Sequence, residues 1–175
     1  MERHQTLTIT RAEHPDPEVA RRGFELDKPY VEMCWGPVLG PTATLLLRRL
    51  PVLWDVQCPA TITHVELAGS LGLGLGTGSR PKLVRAIDRC VRFGIASWTT
   101  EGTDLAVYRR LPALSPYQLA RLPDWTRRVH QQIFDAHLEA AGPTGPSIEA
   151  MTRRLDRLQR PIGTNPAVPT QDVDK

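Results

Sequence analysis

The period of the hydrophobic positions changes several times along the chain, and each change marks an element. Residues 6–10 (Thr-Leu-Thr-Ile-Thr) alternate polar and apolar, the mark of a half-buried strand. Residues 13–29 hold three prolines and scattered charges and read as a loop or arm. Gly36, Pro37, Gly40 and Pro41 punctuate the entry to a leucine-rich helix over 43–50. Thr42 or Thr44 is its expected cap, and Pro51 is expected to kink or shorten it. Residues 58–63 are short and β-branched, as in a strand. In 64–71 the apolar Val65, Leu67, Ala68 and Leu71 fit a short helix capped by Thr63. A glycine-rich linker over 72–78 leads to a helix from Arg80 to about Phe93, capped by Ser79 and closed by Gly94. Two strands follow over 95–100 and 103–111, with a turn at Glu101-Gly102. Residues 112–123 read as a loop with one helical turn. A helix over 125–141 starts from Asp124 and is stopped by Gly142 and Pro143. Ser147 caps an amphipathic helix to about Arg160, and the proline-rich polar end beyond it has the composition of a disordered tail.

Taken by type, residues 41–122 run helix, strand, helix, turn, helix, hairpin. This order rests on the phrases Leu67-Ala-Gly-Ser-Leu-Gly-Leu-Gly and Leu83-Val-Arg-Ala-Ile-Asp-Arg-Cys-Val-Arg-Phe-Gly-Ile. It resembles the winged helix-turn-helix domains of bacterial DNA-binding regulators. The resemblance implies a mainly α fold with a small β-hairpin. The winged-helix core would span 41–122, with an N-terminal strand and arm at 1–40, C-terminal helices at 123–160 and a tail at 161–175. It also implies that helix 80–93 enters the major groove of duplex DNA while the hairpin touches backbone or minor groove. The linker before that helix departs from the pattern, being long and glycine-rich where a tight turn is usual.

Charge sharpens this expectation. The chain carries 22 basic and 19 acidic residues, a net charge of +3. Residues 1–40 sum to −2, residues 41–122 to +5 and residues 123–175 to 0. A polyanionic partner is therefore expected at the middle segment. At about 100° per residue, Leu83, Val84, Ile87, Cys90 and Val91 share one arc of helix 80–93, and Lys82, Arg85, Arg89 and Arg92 lie opposite. Arg85 and Arg89 stand mid-helix, where a guanidinium can meet guanine in two bonds. Thr77, Ser79, Arg80 and Lys82 stand at the helix N-terminus, where free N–H groups and the helix dipole favour phosphate. Arg109 and Arg110 fall in the second hairpin strand; neighbours there point to opposite faces, so at most one can face DNA.

Other chemistries find little support. No apolar run approaches the roughly 20 residues of a membrane span, and the N-terminus lacks the apolar core of a signal peptide. Cys34, Cys58 and Cys90 are odd in number and widely spaced, which argues for buried thiols in a reducing, cytoplasmic setting. The glycines of 72–78 fit neither a phosphate-binding loop nor a dinucleotide fingerprint. No spacing of Cys and His suggests a metal site, and no nucleophile has a positioned base. No cofactor and no enzymatic activity are expected. Helix 125–141 shows two apolar edges: Trp125, Val129, Ile133, Ala136 and Ala140 on one, Phe134 and Leu138 on the other. The second edge suggests a homodimer contact, or cover from the N-terminal segment or the final helix. The expectation is a duplex-DNA-binding transcription regulator, acting as a homodimer. The alternative is a protein-interaction module docking on a polymerase or replication factor.

Overall fold

Strand β1 (Thr6–Ala12) forms where the alternation places it, but in the middle of a sheet rather than in an arm. The structure, a computed structural model, describes residues 6–74, 81–99 and 104–140. On one side β1 pairs antiparallel with β3 (Ala60–Thr63), matching Leu7 with Ile62 and Ile9 with Ala60. On the other it pairs in parallel with β5 (Asp104–Tyr108), matching Ile9 with Leu105. Strand β5 in turn pairs antiparallel with β4 (Ala96–Trp98), so the order is β3-β1-β5-β4. The expected mainly α fold with a single hairpin is thereby overturned: this is an α/β fold built on a mixed four-stranded sheet. The hairpin alone leaves the backbone of β5 unpaired on one side. Strand β1 fills that side and in doing so buries Leu7 and Ile9.

One face of the sheet carries the core. Leu7, Ile9, Leu105 and Val107 meet Leu46, Leu47 and Leu50 of α3 (Pro41–Val56), Leu67 of α4 (His64–Ser70), and Ile87 and Cys90 of α5 (Lys82–Arg92). The other face, with Thr6, Thr8, Thr10, Thr61, Thr63 and Ser97, has no buried residue among these positions. One wet face is what antiparallel pairing permits. Helix α3 runs through Pro51 without stopping. Burial of Leu46, Leu47, Leu50 and Trp54 along one side outweighs the single lost N–H. The Trp54 indole donates to the Ile9 carbonyl at 3.1 Å, which bolts α3 to β1.

The expected arm is structured as well. Asp16 accepts from the Glu18 N–H and opens α1 (Pro17–Arg22). Strand β2 (Phe24–Glu25) pairs with β6 (Arg110–Leu111) in a second, two-stranded sheet. A π-helical turn, Val31–Trp35, runs into α2 (Gly36–Leu39) and buries Val31, Cys34, Trp35 and Leu39. Thr63 and Glu66 close a reciprocal capping box at the start of α4. Gly94, at φ +67°, ends α5 and lets the Ile95 N–H reach back to the Cys90 carbonyl at 2.9 Å. A single turn, α6 (Pro116–Leu119), is capped by Ser115, and α7 (Asp124–Ala140) follows. Everything described belongs to one compact unit that ends at Ala140. The helix expected over 147–160 and the tail beyond it lie outside the described residues. Among the described residues, no helix is long and apolar enough to cross a membrane.

Candidate nucleic-acid interface

Helix α5 buries Leu83, Ala86, Ile87 and Cys90 and leaves Lys82, Arg85, Arg89 and Arg92 exposed. The division follows the helical period, because the sheet and α3 take the apolar side. Between α5 and the start of α3 runs a groove of about 330 Å³, lined by Leu39, Thr42, Ala43, Lys82, Arg85, Ala86 and Arg89. A second depression of about 470 Å³ continues past Arg85 and Arg89 to Asp88, Arg92 and Phe93. The two depressions share Arg85 and Arg89 and together make a trough bordered by the four cations and Asp88, with Leu39, Ala43 and Ala86 in its first part. The wall from α3 was not expected; the Gly40-Pro41 punctuation marked the helix start without indicating what would face it.

The four cations are not equivalent. Arg89 donates to the Val38 carbonyl at 2.8 Å and stands 6.0 Å from the centre of the Phe93 ring, so its guanidinium is held in place. Among the described residues, no carboxylate lies within ion-pairing distance of Lys82, Arg85, Arg89 or Arg92. Like charges three and four residues apart on a helix repel by a few tenths of a kcal/mol per pair. The stripe contains three such pairs, and Asp88, three residues from Arg85 and four from Arg92, offsets two of them, so the net opposition to folding is a few tenths of a kcal/mol.

Arg109 and Arg110 do not join this trough. Arg109 pairs with Glu13 at 3.2 Å and with Glu25 at 3.4 Å. Arg110 meets Glu25 at 3.1 Å and donates to the carbonyls of Ala20 and Arg21 at the end of α1. The Arg110 hydrogen bond, helped by the charges of Arg110, Lys28 and Arg109, holds the Glu25 carboxyl below its usual range against the opposing effect of burial. These arginines tie β2, β6 and α1 together, a structural task that their place in the sequence did not indicate. Thr77, Ser79 and Arg80 lie outside the described residues.

The expected dimer edge is also redistributed. Phe134 packs against the chain's own core and stacks on His130, with ring centres 5.5 Å apart. Only Leu138 of that edge stays open, at 44 % exposed, while Trp125, expected to face inward, is 56 % exposed. The face that α7 turns to the body is Thr126, Val129, His130, Ile133, Phe134 and His137. Burial pushes the thiols of Cys34 up to about 11 and Cys90 up to about 12, as in inert core cysteines. Among the described residues, no cluster of His, Cys, Asp or Glu could hold a metal ion. No family model, no curated protein and no solved structure matches this chain.

Proposed function

We propose that the chain binds duplex DNA through the exposed face of α5 and acts as a transcription regulator. The observation that carries this reading is the stripe Lys82, Arg85, Arg89, Arg92, exposed and unpaired by any carboxylate among the described residues. A face that only has to be soluble gains by balancing signs, whereas this one sets four cations against the single acid Asp88. Phosphate oxygens would remove the remaining repulsion on binding. The succession α3, β3, α4, α5, β4, β5 supports the same reading. In it α5 is the last helix before the hairpin, the position of the groove-entering helix in regulators of the helix-turn-helix type. Arg85 and Arg89 are assigned to base edges, Lys82 and Arg92 to phosphates.

The test is fluorescence anisotropy of the purified chain on a labelled duplex across a salt series, followed by selection of a preferred site. Two phosphate contacts, at Lys82 and Arg92, give a slope of log K against log salt of roughly −1.8. On a selected site Arg85→Ala is expected to cost about 1–3 kcal/mol, while Lys82→Ala weakens every sequence alike. Equal losses for both variants on all duplexes would overturn the assignment of base and phosphate roles. Undetectable binding at low salt would overturn the proposal and leave the stripe as a docking face for an acidic protein partner.

A further inference from the structure

We propose that α7 is a pH-sensitive element, docked on the body at neutral pH and loosened in acid, with His130 as its sensor. The inner face of α7 buries only Thr126 and His130 fully, and Val129, Ile133, Phe134 and His137 by part. Its hold therefore depends on polar contacts more than is usual for a helix of 17 residues. Two of those contacts are made by histidines.

The first fixes a protonation state. The Tyr30 hydroxyl accepts the Leu114 N–H at 2.9 Å. His130 Nδ1, 2.8 Å away, is the acceptor within reach of its one proton. With the hydroxyl donating there, Nδ1 is the bare nitrogen and Nε2 the protonated one. A proton added at Nδ1 sets two donors against each other, and Tyr30, at 0 % exposed, cannot turn its O–H to water. The second contact makes no such demand. His137 Nε2 lies 2.8 Å from the Arg22 carbonyl, which asks only for a proton on Nε2, and both forms of the ring carry one. His130 senses and His137 anchors.

The surrounding charges do not reverse this. On α7 itself Asp135 favours a proton on His130, yet burial outweighs it and moves His130 below the ordinary histidine value. From the π-helical turn, Cys34 is buried with its thiol pushed up to about 11, and Glu32 turns outward to Arg48 at 3.5 Å. Tyr30 is raised by burial and keeps its proton throughout. The cleft beside His137 carries Arg21, Lys28, Arg110 and Glu25, a mostly cationic rim that does not invite a further positive charge. The sign follows: docking favours neutral His130, so its contribution is complete above the free-histidine value of about 6.5 and declines as pH falls below it.

The experiment is hydrogen exchange on the full chain near pH 7.5 and near pH 5, corrected for intrinsic exchange, with β1 as the internal reference. Protection of α7 relative to β1 is expected to fall roughly three- to tenfold in acid, the span given by one lost hydrogen bond. In His130→Gln the amide oxygen accepts the Tyr30 proton at either pH, and the difference should vanish. His137→Gln should lower protection at both values and keep the difference. A pH-independent α7 in the unaltered chain, or a His130→Gln variant that retains the difference, overturns the proposal. Should His130→Gln fail to fold, imidazole nitrogen shifts of the unaltered chain decide: a proton on Nδ1 at neutral pH is equally fatal.

Discussion

Reversing one charge in the α5 stripe should make the protein more stable while it loses its ligand. Arg85 stands three residues from Lys82 and four from Arg89, and each like-charged pair costs about 0.2–0.5 kcal/mol. Arg85→Glu turns both repulsions into attractions, a gain of roughly 0.8–2 kcal/mol. Against it stands Asp88, three residues along, whose attraction becomes a repulsion and returns roughly 0.4–1 kcal/mol. Position 85 is the fourth residue of α5, where the helix dipole adds about 0.3 kcal/mol in favour of a negative charge. Glu and Arg differ little in helix propensity, so the net is a stabilisation of roughly 0.5–1 kcal/mol. For a chain of this size that raises Tm by about 1–4 °C. On the same protein the affinity for a selected site should fall by at least about 1–3 kcal/mol, the loss expected of the Ala variant. Calorimetry at low ionic strength and anisotropy on one preparation read both effects. A fall in Tm would mean that Arg85 serves the fold. Unchanged binding would mean that Arg85 does not meet DNA, and either result refutes the reasoning.

Two further expectations concern the frame that positions α5. Trp54→Phe removes the indole donor to the Ile9 carbonyl and leaves that acceptor without it inside the core; urea unfolding should show a loss of about 2 kcal/mol with DNA binding retained. Glu25→Gln strips the shared partner from Arg109 and Arg110 and should cost about 1 kcal/mol near neutral pH, modest because the groups are partly exposed. The Glu25 carboxyl is held below its usual value, so its contribution is present above the free-carboxylate value of about 4.3 and lost as pH falls through the lowered one. An acid-unfolding series should therefore show the unaltered chain and the Gln variant converging at low pH; a constant gap between them would remove Glu25 from the account.

Local signals in the sequence were legible in part: the cap expected at Thr42 or Thr44 falls on Gly40, with no side chain capping α3. The Thr63 cap, the closing Gly94 and the alternation of Thr6 to Thr10 each specify a short-range geometry, and each is found. The pairing of strands is a different kind of information. Alternation says which face Leu7 and Ile9 occupy, but not which backbone lies beside them. The parallel neighbour of β1 is β5, almost a hundred residues away, and no residue type in either strand announces the other. Reading the hairpin as self-contained therefore gave a mainly α fold, and the insertion of β1 between β3 and β5 is what makes it α/β. The arm over 13–29 was misread for a related reason. Its prolines do not oppose structure: Pro17 occupies the first turn of α1, where a missing N–H costs nothing.

The same distinction divides the candidate site. The α5 stripe was legible because one helix period separates its basic and apolar residues without help from elsewhere. Arg109 and Arg110 were not, since their carboxylate partners come from residues 13 and 25, and strand alternation describes the arginines alone. Helix α7 shows the limit of hydrophobic counting most clearly. Its apolar Trp125, Ala136 and Ala140 face water, and its inward arc is centred on Thr126, His130 and His137. A face scored as polar can be buried when the body supplies partners of matching chemistry, here the Tyr30 hydroxyl and the Arg22 carbonyl. Those partners are themselves placed by the Phe24–Tyr30 stack and the β2–β6 pairing, which fold from the segment that reads as an arm. The orientation of α7 is thus fixed by the N-terminal forty residues, and no pattern within α7 could have disclosed it.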